Sequence, residues 1–293
     1  MIMNINKKII NKMNTLNLNI PGFSLACKTW GTPDKPTILA LHGWLDNANS
    51  FAPLAPYLEN DFHFIAVDLP GHGYSSHLPE GCHYHFFDGI FVVIELINAL
   101  KLDKLHLLGH SMGACLASLV GGVIPERFLS LSLIEGLGPF SHPAETACQQ
   151  LRDYACFLAQ QRKKSKGYDS INSAALARAF KGYVSLDIAK ILCERSLVEK
   201  HGKFYWRHDP RLLVRSPLRM TEPQVLSCLQ EITAKTCLIL SSRGFSFDTE
   251  IIANRIKAVK NLTIKKMDGG HHVHMERPEV ISKLLADFII HTD

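Results

Sequence analysis

Gly109-His110-Ser111-Met112-Gly113 follows a short apolar run and opens onto a stretch of small and helix-favouring residues. A strand running into a helix through Gly-x-Ser-x-Gly makes a turn too sharp for ordinary side chains. Its glycines let the backbone bend and approach closely, and its strained centre lifts the Ser111 hydroxyl above a sheet. The start of the helix aims free backbone N–H groups at developing negative charge. Such a serine is a candidate nucleophile for acyl transfer. A hydroxyl is a weak nucleophile at neutral pH, so it needs a base.

The chain has 15 histidines. Gly269-Gly270-His271 follows the last predicted strand and precedes Pro278, which starts the last predicted helix. That loop lies on the carboxyl edge of a parallel sheet, beside the Ser111 turn, so His271 is the candidate base. His272 and His274 read as loop or packing residues. The three imidazoles together lack a helical His-x-x-x-His spacing, and no metal site is expected. The base needs a carboxylate to orient it. Glu135 ends the apolar run 129–134, and Asp248 follows the run 236–240. Asp248 also reads as a cap for the helix after it, so Glu135 is favoured and Asp248 stays the alternative catalytic acid.

An oxyanion needs hydrogen-bond donors. His42-Gly43-Trp44 follows the run 37–41, and the backbone N–H groups of Trp44 and Met112 are the candidates for an oxyanion hole. His42 and Asp46 read as braces of that loop. So does the turn from Asp68 to Ser75, whose Gly71-x-Gly73 continues into neither a dinucleotide nor a P-loop fingerprint. No cofactor is expected.

The elements that must position these residues are legible as a pattern. Runs 37–41, 62–67, 105–108, 129–134, 236–240 and 262–266 are short and apolar on both faces, as central parallel strands are. Looser alternation over 16–20 and 23–30 suits two antiparallel edge strands. Helical segments at 86–100, 112–123, 250–259 and 278–290 separate or follow the runs, which predicts a parallel sheet covered on both faces. From about 140 to 230 the pattern is helical (144–161, 173–179, 185–199 and 222–231), with no strand expected. Three domain segments follow: a tail at 1–15, a core built from 16–139 and 232–293, and an insert at 140–231 lying over the carboxyl edge. Aromatic residues of the insert, among them Phe140, Phe157, Phe180, Tyr183, Phe204, Tyr205 and Trp206, read mostly as its own core.

Composition agrees. Of 293 residues, 46% are hydrophobic and 20% charged, which is ordinary for a globular chain and excludes disordered, collagen-like and coiled-coil classes. The net charge of +5 is spread out, and its densest cluster, Arg162 to Lys166, reads as a solvated surface. Neither nucleic acid nor membrane is expected as a partner, and the partner is a small-molecule substrate. No apolar run approaches the roughly 20 residues of a spanning helix. The N-terminal residues lack the apolar core and cleavage site of a signal peptide, and translation from Met13 is an alternative start. Eight cysteines without a Cys-x-x-Cys pair read as reduced thiols, which implies a cytoplasmic location.

Four strings occur in a fixed order: His42-Gly43-Trp44, Asp68-Leu69-Pro70-Gly71-His72-Gly73, Gly109-His110-Ser111-Met112-Gly113, and Gly270-His271 through Glu276-Arg277-Pro278. In these the chain resembles the α/β-hydrolase superfamily from about residue 20 onward. The longer strings 42–48 and 135–139, with Asp209-Pro210-Arg211-Leu212, resemble the serine hydrolase-like group more narrowly. The resemblance implies an α/β-hydrolase fold: a mostly parallel eight-stranded sheet, helices on both faces and a helical cap. It also implies Ser111 as nucleophile and His271 as base. The chain departs from the family where the acid usually sits, about three residues after the run 236–240, because Phe245 falls near that place. Related dehalogenases and some lipases take the acid from the strand that Glu135 ends. The implied activity is hydrolysis of a small to medium apolar ester through an acyl-enzyme. Carbon–carbon bond hydrolysis, thioester or amide cleavage and perhydrolysis use the same constellation, and ligand binding without turnover is the alternative outside enzymes.

Overall fold

A computed structural model describes residues 14–160, 166–182 and 184–290 of the chain. The candidate start at Met13 and the basic residues Arg162, Lys163 and Lys164 lie outside them, as does Tyr183. The fold begins with an antiparallel hairpin, β1 (Asn14–Ile20) and β2 (Phe23–Trp30), turned at Gly22. β1 takes in Asn14 and Thr15, which the sequence pattern assigns to the tail. β3 (Thr37–Leu41), β4 (His63–Val67), α1 (Asp88–Ala99), β5 (Leu105–His110), α2 (Met112–Val123) and β6 (Phe128–Ile134) follow in the expected alternation. The insert then carries α3 (Ala147–Ala159), α4 (Ile171–Gly182), α5 (Leu186–Ser196), β7 (Leu197–Lys200), β8 (Lys203–Trp206) and α6 (Glu222–Gln230). The chain ends with β9 (Lys235–Arg243), α7 (Thr249–Ala258), β10 (Leu262–Gly270), the short α8 (Val273–Glu276) and α9 (Pro278–Ile290).

Eight strands form one sheet in the order β1-β2-β4-β3-β5-β6-β9-β10. β2 meets β4 antiparallel, and every pairing from β4 to β10 is parallel. The two-residue period of the strands splits their side chains between two apolar layers. Leu39, Leu41, Leu105, Leu107, Leu131 and Leu133 join α1 and α2 in one cluster. Ile38, Ala40, Leu108, Ile134 and Ile239 pack with Phe51, Phe64 and the α9 residues Ile281, Leu285 and Ile289 in the other. At about 2 kcal/mol for each fully buried aliphatic side chain, these two layers fix the register on which the site depends.

The expectation of an insert without strands is corrected. β7 and β8 form a hairpin separate from the main sheet, with Leu197 opposite Trp206 and Val198 opposite Tyr205. His201 and Gly202 both adopt positive φ, 52° and 72°, which suits a two-residue turn between twisted strands. The apolar and aromatic residues at 197–206 therefore follow a strand period, and the helical reading of 185–199 ends at Ser196. Elsewhere in the insert Ala174, Ala175, Ala189, Cys193 and Leu197 form a small core of its own. α6 packs on α2 and gives Val225 and Leu229 to the larger core. No helix among the described residues is long and apolar enough to cross a membrane.

Candidate active site

β5 delivers Ser111 to the carboxyl edge and α2 begins at the next residue. Ser111 has φ 52° and ψ −117°, a strained conformation for a residue with a side chain. Its N–H is pinned to the Ile134 carbonyl at 2.8 Å. A Cβ at Gly109 would lie 2.4 Å from the Gly113 carbonyl oxygen, and one at Gly113 would lie 2.0 Å from that of Leu41. Both motif glycines are therefore demanded by close backbone approach.

β10 ends at Gly270 and places His271 beside the serine, Nε2 to Oγ 2.8 Å. The ring's Nδ1 lies 3.1 Å from Oε2 of Glu135. Glu135 follows β6 with φ 58° and is buried. Its carboxylate takes two further donors, the Ser241 N–H on Oε1 at 2.6 Å and the Phe245 N–H on Oε2 at 2.7 Å. Burial alone would raise its pKa. The hydrogen bonds from His271, Ser241 and Phe245 outweigh burial and hold the carboxyl below the usual range. An anionic Glu135 fixes the tautomer of His271, with Nδ1–H donating to the carboxylate and the Nε2 lone pair facing Ser111.

Asp248 lies elsewhere. It caps α7, accepting from the N–H groups of Glu250 and Ile251 at 3.0 Å each, and it is exposed. The departure noted at Phe245 thus has a structural counterpart. The end of β9 offers no carboxylate at that place; it supplies N–H groups that bind Glu135. Gly244 is part of this cradle, since a Cβ there would lie 2.0 Å from Glu135 Oε2. Sequence reasoning missed Gly244, and its only signal was a glycine next to the unexpected Phe245.

Trp44 follows the β3 edge, and Leu45 after it has φ 59°. The Leu45 N–H donates to His72 Nε2 at 3.2 Å, which ties this loop to the turn from Asp68 to Ser75. Neither the Trp44 nor the Met112 N–H has a protein acceptor among the described residues. Free donors of this kind, on the turns that follow the paired strands β3 and β5, can receive an oxyanion.

Beneath the site lies a buried polar layer. His42 Nδ1–H donates to the Gly43 carbonyl at 2.7 Å, and its Nε2 accepts from the Leu69 N–H at 3.0 Å. His110 Nε2–H donates to the His271 carbonyl at 2.9 Å, so it helps to place the base. His272 Nε2 reaches Asp46 at 3.1 Å, and His274 Nε2 reaches the Ser50 hydroxyl at 2.9 Å. Burial drives the pKa of His42 and of His110 down to about 4, and that of His274 well below its ordinary value. Asp46 is held well below the carboxylate range. Its burial is outweighed by the neighbouring His272 and Arg178.

Potential ligand atoms of Asp46, His110 and His272 lie within 4.8 Å of one another, a spacing that could hold a metal. Arg178 already supplies the positive charge there: it pairs with Asp46 Oδ1, and its Nη1 donates to the Leu45 carbonyl at 3.0 Å. A second cation beside that guanidinium is disfavoured, so the donor set fits a metal poorly. His271, His272 and His274 each face a different partner: Ser111, Asp46 and Ser50.

Arg178 belongs to α4, and nothing in the local sequence points to it. It is one of several insert contacts on the site loops. Asn47 Nδ2 donates to the Leu192 carbonyl and the Ser196 hydroxyl, and Asn49 Nδ2 to the Ile191 carbonyl. Arg195 pairs with the buried Asp68 at 2.8 Å. Trp44 Nε1 donates to the Leu212 carbonyl at 2.8 Å.

Comparison with known proteins places this geometry. Residues 36–278 match the family model described as the alpha/beta hydrolase fold. The chain belongs to the α/β-hydrolase family. Within it, the chain falls in the serine hydrolase-like group: it is 31% identical over 283 residues to a serine hydrolase-like protein of Danio rerio, covering 92% of this chain and 86% of that one. Among solved structures, a hypothetical protein from Pseudomonas aeruginosa PAO1 matches with a TM-score of 0.88 and 33% identity, over 94% of this chain and 99% of that one. The thioesterase domain from the curacin biosynthetic pathway matches with a TM-score of 0.84 and 25% identity, over 94% and 100%.

Proposed function

We propose that this α/β-hydrolase cleaves small to medium carboxylic esters through an acyl-enzyme formed on Ser111. One observation carries the reading: Ser111 Oγ, the His271 ring and the Glu135 carboxylate form a continuous hydrogen-bonded chain, 2.8 Å and then 3.1 Å. His271 Nε2 takes the hydroxyl proton as Oγ attacks the carbonyl carbon. The imidazolium so formed is stabilised by Glu135, and the N–H groups of Trp44 and Met112 receive the oxyanion. Collapse breaks the carbon–oxygen bond to the alcohol, which leaves with the proton from His271. Water then repeats the sequence with His271 as base, releasing the acid and restoring Ser111.

The insert acts as a cap. Its contacts through Arg178, Asn47, Asn49 and Leu212 tie it to the loop that carries Trp44. Phe245 and Phe140 are exposed near His271 and suit an apolar substrate. All eight cysteines are free thiols, and Cys27, Cys193 and Cys237 are buried, which supports a cytoplasmic location.

Two measurements test the reading. Ser111→Ala should lower kcat on p-nitrophenyl esters by about 10⁴-fold or more, and a fluorophosphonate probe should label Ser111 in the folded protein. Unchanged turnover in the variant, or a folded protein that resists the probe, would defeat it. A thioester substrate is a second reading. It is favoured by the likeness to the curacin thioesterase domain, and a parallel assay on acyl thioesters ranks the two.

A further inference from the structure

Residues 212–219 of the insert link the two flanks of the candidate active site. At one end the Leu212 carbonyl accepts the Trp44 indole N–H at 2.8 Å. At the other, the Arg219 guanidinium lies 5.5 Å from the ring centre of Phe140. Phe140 meets Phe245 with centroids 5.5 Å apart, and Phe245 meets His271 at 6.2 Å. An aromatic wall thus runs from the base to a guanidinium, and Phe140 and Phe245 leave 62% and 44% of their surface open. A single open aromatic is ordinary, but two in contact beside a reactive histidine line a binding surface.

The positive charge at the end of this wall is not neutralised. Arg219 is partly buried, and its only side-chain hydrogen bond among the described residues is to His142 Nε2, at 2.7 Å. That nitrogen must accept from the guanidinium, so it adds no negative charge. Arg215 is exposed and makes no ion pair among the described residues. Burial, and then the Arg215 charge, lowers the pKa of Arg219, so the two guanidinium groups feel each other. The nearby carboxylate of Glu222 is already taken by the Nε and Nη2 of Arg255 and by the Ser141 hydroxyl. A partly desolvated guanidinium without a carboxylate partner carries an electrostatic cost that an anionic ligand removes.

We propose that the substrate of this site has an apolar chain ending in an oxyanionic group, carboxylate or phosphate, which Arg219 and Arg215 bind at the far end of the Phe245–Phe140 wall. The inference rests on the acyl-transfer reading of Ser111 for its reaction, but its binding prediction stands apart from turnover.

Binding is measured first, by calorimetry on Ser111→Ala with octanoate, octyl phosphate and octanol as probes. At least one anion should bind about tenfold more tightly than octanol, the strength of a charge-assisted contact. The advantage should fall toward unity in Arg219→Gln, be partly restored in Arg219→Lys, and shrink in Arg215→Gln. The anion that binds better identifies the headgroup. Turnover is measured next on two ester series. One carries the carboxylate on the acyl side, as mono-p-nitrophenyl esters from hemisuccinate to hemisebacate. The other carries it on the alcohol side, as butanoyl esters of ω-hydroxyalkanoates. In one series kcat/KM should exceed that of the matching methyl-capped ester, and Arg219→Gln should reduce that ratio. Octanol binding as tightly as both anions overturns the proposal, as does an anion advantage that Arg219→Gln leaves intact. If no ester is cleaved and Ser111 resists the fluorophosphonate, the hydrolase reading fails while the calorimetry still decides the anion site.

Discussion

Replacing Glu135 by Gln separates the two candidate acids more cleanly than any other change. The carboxylate accepts three hydrogen bonds, from Ser241 N–H on one oxygen and from Phe245 N–H and His271 Nδ1–H on the other. A glutamine amide has one oxygen and one NH₂ group, so it cannot satisfy all three donors. With its oxygen toward His271, the NH₂ is forced against the Ser241 N–H. With its oxygen toward Ser241, His271 must turn its Nδ1 into an acceptor, and Nε2 then carries the proton and cannot take one from Ser111. Either way the charge facing the imidazolium is lost. At the observed 3.1 Å and an effective dielectric of about 20, that charge is worth about 5 kcal/mol. The corresponding loss in kcat is about 10⁴-fold. Asp248→Asn keeps the helix cap, because Asn caps as well as Asp, and kcat should stay within about twofold. The assay is kcat on a p-nitrophenyl ester, with a melting curve to show that each variant is folded. A folded Glu135→Gln protein within tenfold of wild type refutes the reasoning. So does a thousandfold loss in Asp248→Asn.

Three further outcomes are expected. Gly244→Ala places a methyl 2.0 Å from the Glu135 carboxylate, so kcat should fall by more than tenfold in protein that a melting curve shows to be folded; unchanged kcat would show that the cradle is not needed. Arg178→Met leaves Asp46 buried beside His110 and His272 without its cation, at a cost of about 3 kcal/mol in denaturant unfolding, and a loss below 1 kcal/mol would count against the clamp. Acid should destabilise the protein between pH 6.5 and 4. Burial puts His42 and His110 at about 4 and His72 at about 3 in the folded state, against 6.5 when unfolded. Their contribution is thus complete above pH 6.5 and is lost as pH falls toward the folded values. By pH 5 each ring forfeits about 2 kcal/mol, and an unfolding free energy that stays flat from pH 7.5 to 5 would contradict it.

Much of the fold was legible because its signals are local. The apolar runs at 37–41, 105–108 and 129–134 are strands buried on both faces, and their length and neighbours say so without reference to partners. The hairpin at 197–206 was not read, since its short strands follow a helix without a break and their aromatics fit either period. Its turn residues, His201-Gly202, held the missed signal.

At the site, the sequence by itself determined the types of group and the edge on which they lie. Gly-x-Ser-x-Gly needs its glycines for backbone clearance, and a histidine after the last parallel strand must emerge at the same edge. Which carboxylate meets His271 was decided only in three dimensions. Glu135 and Asp248 both follow strands, and their difference lies in what faces them: two N–H groups and an imidazole at Glu135, the first turn of α7 at Asp248. Arg178 and Arg219 reach the site from an insert distant in sequence. Contacts of that kind depend on how separate elements pack, and no periodicity within a single segment records them.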